Sequence, residues 1–249
     1  MTNKIEVLNL PAILENGPSV IHPVVLWDSD DVILVDAGLP GQLQQFRDEM
    51  ATAAIPFERL NKVIITHHDL DHIGSLHDIV DAAPQKVEVL AHEMEKPYIQ
   101  AEIPPIRMLQ LEETMKNMSD EQRQRIMPLY ENLKSIYVKC KTDISRTISD
   151  GEELPCCGGI VIIYTPGHTK GHISLYLKQS KTLIAGDIMS VENGLLIPAP
   201  QFTIIDKPSF SQSLKKLAEY DIETVICYHG GLYDKDVNNR IAKIASGYQ

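Results

Sequence analysis

Thr66-His67-His68-Asp69-Leu70-Asp71-His72 is the stretch that decides how this 249-residue chain is read. Three histidines and two aspartates fall within six positions, directly after the apolar run Val63–Ile65. A single histidine at a strand end is more often a hydrogen-bonding or surface residue than a ligand. The cluster does not yield to that explanation, because unpaired carboxylates so close together repel, and burying them costs several kcal/mol. Compensation by a cation is the physical reason for such a cluster to persist. His-x-Asp-x-Asp-His also offers four ligands, more than one tetrahedral ion takes from one loop, so two metals are the natural reading.

Other apolar runs end the same way. Ile160–Tyr164 leads into Thr165-Pro166-Gly167-His168, Leu183–Ala185 into Gly186-Asp187, and Thr224–Cys227 into Tyr228-His229-Gly230-Gly231. Strand ends that converge on one rim are where α/β proteins build sites. Imidazole and carboxylate from four separate segments suit a divalent transition metal. Further strands are expected at Val24–Trp27, Val32–Val35, Val87–Ala91 and Ile173–Leu177, all short, β-branched and bounded by Gly, Pro or Asp. Helical patterns cover Gln42–Ala53, Leu76–Ala83, Ser209–Tyr220 and Lys235–Ser246, with Ser209 and Gln212 reading as a capping box. Strands and helices mixed in this order mean α/β or α+β. Val20–Trp27 followed by Asp28-Ser29-Asp30-Asp31 reads as an early hairpin with a solvated acidic turn.

Residues 98–140 differ: no strand pattern occurs, charge alternates with Met and Leu, and Ser119 with Gln122 opens a helix as a capping box. This segment reads as a helical insertion within a single domain spanning 1–249. Its apolar side chains (Met108, Leu111 and Met115 among them) either pack on the core or a second subunit, making a homodimer, or form a lid over the metal edge.

Composition narrows the function. A 43% hydrophobic chain of this length can bury a sizeable core, which excludes disorder, collagen and coiled coil. No apolar run approaches the ~18 residues a bilayer span needs, and the opening residues lack a signal-peptide pattern. A net charge of −11 without a dense Lys/Arg cluster argues against nucleic acid and anionic membranes. Four cysteines without a CxxC pair read as reduced thiols. The expectation is a cytoplasmic protein acting on a small molecule.

At this point the residues resemble a known family. The loop His67–His72, the block Thr165-Pro-Gly-His-Thr-Lys-Gly-His172, Gly186-Asp187, His229-Gly-Gly and Asp36 in Val35-Asp-Ala-Gly are similar to the motifs of the metallo-β-lactamase superfamily, in order and over nearly the whole chain. The resemblance implies an α/β (α+β) fold, a four-layer αβ/βα sandwich with a dinuclear site at one edge. Carried across, one metal takes His67, Asp69 and His168, and the other takes Asp71, His72 and His229, with Asp187 bridging. Asp36 and His172 orient ligands. His68 is not a ligand, because that register puts Leu70 where a carboxylate is required.

Asp69 departs from the commoner His-x-His-x-Asp-His. Three carboxylates plus a bridging hydroxide neutralise two divalent ions, which raises the pKa of the bound water and weakens Lewis acidity. The harder ligand also admits Mn²⁺ or Fe²⁺ beside Zn²⁺. The implied chemistry is metal-assisted hydrolysis of an ester, lactone or thioester by a hydroxide that Asp71 orients. The branch resembling glyoxalase II and the lactonases fits by exclusion, although Ser190 stands where those lactonases have Tyr. The rival readings are a mononuclear non-haem iron oxidoreductase resembling persulfide dioxygenases, a phosphodiester hydrolase, and a non-catalytic binding module. Tyr228 is expected to reach a substrate oxygen, Cys227 to be a buried structural thiol, and His22, His77 and His92 to be surface or satisfied polar residues.

Overall fold

Along Val24–Trp27 and Val32–Val35 successive side chains leave opposite faces of the sheet, and both faces are apolar. Val24, Leu26, Ile33 and Val35 join one buried cluster, while Val25 and Leu34 join another. A sheet covered on both sides is the outcome, as expected for near-continuous runs of Val, Ile and Leu. The computed structural model describes residues 4–14 and 17–248; residues 1–3, 15–16 and 249, which the expected 1–249 domain includes, lie outside the described residues.

One sheet runs in spatial order Lys4–Val7, Val24–Trp27, Val32–Val35, Lys62–Ile65, Glu88–His92 and Arg146–Ile148. Its first three strands pair antiparallel and the rest parallel. The other runs Gly231–Tyr233, Thr224–Cys227, Thr182–Gly186, Ile173–Leu177, Ile160–Tyr164 and Glu153–Leu154, with only Thr182–Gly186 and Thr224–Cys227 parallel. Leu26, Ile33, Ile64 and Leu90 of the first sheet meet Ile162, Leu175, Ile184 and Ile226 of the second in a shared core. Helices cover the outer faces. Phe46 and Met50 of Leu43–Thr52 and Leu76 and Ile79 of Leu76–Ala82 pack on the first sheet. Phe210 and Leu214 of Lys207–Leu217 and Ile241 of Val237–Gly247 pack on the second. The four-layer sandwich is thus present.

All eight expected strands occur, to within a residue or so at their ends. The strands missed are edge strands and two hairpins, Leu10–Leu14 with Gly17–Ile21 and Met189–Glu192 with Leu195–Pro198. The edge strands Lys4–Val7, Arg146–Ile148 and Glu153–Leu154 are short and carry exposed polar residues, while the apolar runs Leu10–Leu14 and Leu195–Pro198 contain Pro11 and Pro198, a residue that argues against a strand. The helix expected from Ser209 starts earlier, at Lys207. Asp206 caps it by accepting from the Ser209 N–H, so Ser209 is a recipient of the cap and opens no capping box. The Ser119–Gln122 box forms as expected. The acidic turn is not simply solvated: Asp28 accepts N–H bonds from Asp30, Asp31 and Cys157, and Asp31 pairs with Lys62.

Residues 98–140, expected as a helical insertion, hold the helices Ile106–Lys116 and Asp120–Lys139 and the end of a short one, Lys96–Ile99. Met108, Met115 and Tyr130 form a small core of their own, and Tyr137 packs on both that core and the main one. Among the described residues no helix is long and apolar enough to cross a membrane.

Candidate metal centre

Each functional side chain leaves the C-terminal end of a strand. Lys62–Ile65 delivers residues 66–72, Ile160–Tyr164 the loop to His172, Thr182–Gly186 delivers Asp187, and Thr224–Cys227 delivers His229. Val32–Val35 ends at Asp36, which adopts a left-handed φ of 63°. That unusual conformation turns its carboxylate back beneath the loop, where it accepts from Thr66 N (2.8 Å) and Thr66 Oγ1 (2.8 Å). Asp36 Oδ2 lies 2.9 Å from His72 Nδ1 and fixes that ring so that Nε2 faces the other ligand candidates. Gly230, beside His229, has φ +93°, and a Cβ there would sit 2.0 Å from the Val191 carbonyl oxygen. Only glycine lets this turn bring His229 to the rim.

The structure brings together every metal-ligating residue expected from sequence. Two triplets, His67, His168 and Asp187, and Asp71, His72 and His229, each present ligand atoms within 4.8 Å of one another. Asp187 stands between them. Its Oδ1 is 3.3 Å from His72 Nε2, and its Oδ2 is 3.6 Å from His168 Nε2 and 3.3 Å from His229 Nε2. Asp71 Oδ2 approaches His229 Nε2 at 3.3 Å. Asp69 Oδ2 is 3.2 Å from His168 Nε2 and 3.7 Å from His67 Nε2, so it joins the first triplet.

The donor set fits divalent cations on an observation of its own. His67 Nε2, His72 Nε2 and Asp187 Oδ1 are buried and make no hydrogen bond, a costly state for polar atoms of a folded chain. The field points the same way. Burial disfavours charge on His229, yet Asp187 and Asp71 overcome it and push that imidazole up to about 10. A centre that draws protons so strongly is one that a cation would neutralise.

His172 is no ligand. Its Nε2 accepts the Asp187 N–H at 2.9 Å while Nδ1 lies 2.9 Å from Thr165 Oγ1 and 3.1 Å from the Thr165 carbonyl. Burial, with His168 beside it, lowers its pKa to about 3, so the ring stays neutral and holds the backbone of Asp187 in place. Tyr228 corrects the expectation made for it. The side chain is 3% exposed, lies against the His72 ring with centroids 3.8 Å apart, and donates its hydroxyl to the Asp71 carbonyl. The hydroxyl is committed inward and supports the ligand loop, so it is not offered to a substrate. Cys227 is fully buried in the outer core of the second sheet, and His92 stacks on Tyr164.

Two neighbours escaped the sequence reading. Arg107, in the first turn of Ile106–Lys116, donates from Nε to Asp69 Oδ2 at 3.2 Å and from Nη2 to the Thr203 carbonyl at 3.1 Å. Nothing local marks it, because the contact spans 38 positions. Glu95 is completely buried beside His68, whose ring it binds at Nδ1 and whose other face stacks on Tyr98 at 4.1 Å. Its place just beyond the strand Glu88–His92 is a strand-end signal of the kind that marked the ligands.

With the geometry in view, comparison with known proteins is informative. The sequence model described as the metallo-beta-lactamase superfamily matches residues 16–229. The probable metallo-hydrolase YqjP of Bacillus subtilis is 23% identical over 92% of this chain and 72% of its own length. A hydroxyacylglutathione hydrolase of Idiomarina loihiensis is 26% identical over 81% of this chain and 57% of its own length. A crystal structure of a metallo-beta-lactamase family protein from Thermus thermophilus superposes with a TM-score of 0.73 at 21% identity, covering 98% of this chain and 79% of that one. Motif order, sandwich and family match agree: the chain belongs to the metallo-β-lactamase superfamily.

Proposed function

We propose that this protein is a metal-dependent hydrolase whose two ligand triplets hold two divalent cations against a small-molecule ester, lactone or thioester. The observation that carries the reading is that Nε2 of His67 and Nε2 of His72, one from each triplet, and Oδ1 of the Asp187 carboxylate between them are all buried without a hydrogen bond. The cations, when bound, lower the pKa of water towards neutrality and polarise a scissile carbonyl. Zn²⁺ suits the imidazoles, and the harder Asp69 oxygen also admits Mn²⁺ or Fe²⁺.

The chain's own residues do the rest. Asp71 is the most exposed of the three ligand carboxylates, at 19% against 14% for Asp69 and 11% for Asp187. It is placed to orient an attacking water and take its proton. Asp36, His172 and Tyr228 fix His72, Asp187 and Asp71 from behind, so the site needs little rearrangement to act. The contact of Arg107 with Asp69 brings the insertion to the rim of the centre and supports its reading as a lid. The names of the relatives, metallo-hydrolase and hydroxyacylglutathione hydrolase, support hydrolysis of an acyl compound.

A panel of esters, lactones and thioesters tests the proposal. At least one should be hydrolysed, with activity lost on chelation and restored by Zn²⁺ or Mn²⁺. Oxygen consumption with bound iron and no hydrolysis would replace it with an oxidoreductase.

A further inference from the structure

Between the two loops that supply His67, Asp69 and His168 lies a carboxylate that touches neither a metal-facing atom nor solvent. Glu95 Oε2 accepts the His68 N–H at 2.9 Å and binds the His68 ring at Nδ1. Glu95 Oε1 accepts Thr169 Oγ1–H at 2.8 Å and the Gly171 N–H at 2.6 Å. One oxygen therefore holds the residue between His67 and Asp69, and the other holds the residues after His168. The approach is so close that a Cβ on Gly171 would lie 2.7 Å from Glu95 Oε1 and 3.0 Å from Glu95 N. The His68 ring also carries Tyr98 of the insertion on its face, which locks its orientation.

We infer that Glu95 is a positioning residue, which clamps the two loops at the separation that lets His67, Asp69 and His168 close on one cation. The inference rests on the proposed metal reading and adds an asymmetry to it. Asp71, His72 and His229 are held by other groups: Asp36 on His72, Tyr228 on Asp71, and the Gly230 turn at His229. Loss of the clamp should therefore weaken one ion's binding and spare the other. Supporting partners of ligands typically contribute about 10–100-fold to metal affinity.

The test uses the full chain, stripped by chelation and titrated with Co²⁺, whose absorption reports each binding step. Wild type should take up two Co²⁺ per chain. In Glu95→Gln the isosteric amide turns a donor towards the donors of one loop, so one step should weaken by about 10–100-fold with the other within about twofold. Thr169→Val removes a single clamp bond at nearly constant volume and should weaken the same step by a smaller factor. It decides the matter should Glu95→Gln fail to fold. A general structural role predicts a lower Tm with both steps unchanged, or both weakened alike, and either result in a folded variant overturns the clamp. Absence of Co²⁺ uptake by wild type would overturn the metal reading itself, and this inference with it.

Discussion

Asp187→Asn should leave the fold intact and lower kcat/KM by at least about 10³-fold, equivalent to about 4 kcal/mol of transition-state stabilisation. The carboxylate stands within 3.3–3.6 Å of imidazole nitrogens from both triplets. The asparagine side chain offers one neutral oxygen there, and its amide N–H₂ points a donor at a cation. The fold survives because the contact tying this residue to the scaffold is its backbone N–H, donated to His172 Nε2. Kinetics and metal content of the same preparation check the prediction. The variant should hold less than half the wild-type metal, whereas activity within tenfold of wild type would remove Asp187 from the shared position.

Metal removal should have a similarly large effect on stability. A ligand at about 1,000 times its Kd stabilises the native state by about 4 kcal/mol, and each kcal/mol moves Tm by about 2–4 °C in a chain of this size. Chelation should accordingly lower Tm by roughly 8–16 °C. The gap should also depend on pH, and the sign follows from His229. Its pKa in the metal-free fold is raised to about 10 by Asp187 and Asp71, against burial. The stability this pairing contributes is complete below the unfolded value near 6.5 and is lost as pH rises through about 10. Metal binding has the opposite trend, because the imidazoles must be deprotonated to ligate. Scanning calorimetry with and without chelator should therefore show the Tm gap widening between about pH 6 and 9. A gap that narrows over that range would contradict the assignment of His229 to the centre.

Much of this architecture was legible from the chain alone, for a specific physical reason. Each ligand candidate follows an apolar β-branched run, and a strand buried on both faces writes such a run whatever its neighbours are. Thus Val63–Ile65 and Ile160–Tyr164 announced both the strands and the loops at their ends. Edge strands such as Arg146–Ile148 left no comparable trace, since two of its three residues are exposed. Contacts across long sequence separations were the other loss. Arg107 on Asp69 and Glu95 on Thr169 depend on how the insertion and the strand-end loops fold together, which no local pattern encodes. Tyr228 shows the same limit in reverse. Its position beside His229 suggested an outward role, but the two rings stand edge to face, with interplanar angle 89°, and the phenol lies under Asp71, to whose carbonyl it donates. The cap on Lys207–Leu217 failed by three residues because Asp206 and Ser209 are both good cap residues, and the one preceding Pro208 won.

The central claim is that two cations share one centre built on Asp187. Metal content per chain, measured by mass spectrometry on the purified protein alongside a chelated and reloaded sample, tests it most directly. The account predicts about two divalent ions per chain, Zn²⁺ or Mn²⁺ foremost, falling below one on chelation and returning to two on reloading. A maximum of one ion per chain after reloading, with His72 and His229 replaceable by alanine at no cost to that ion, would contradict it.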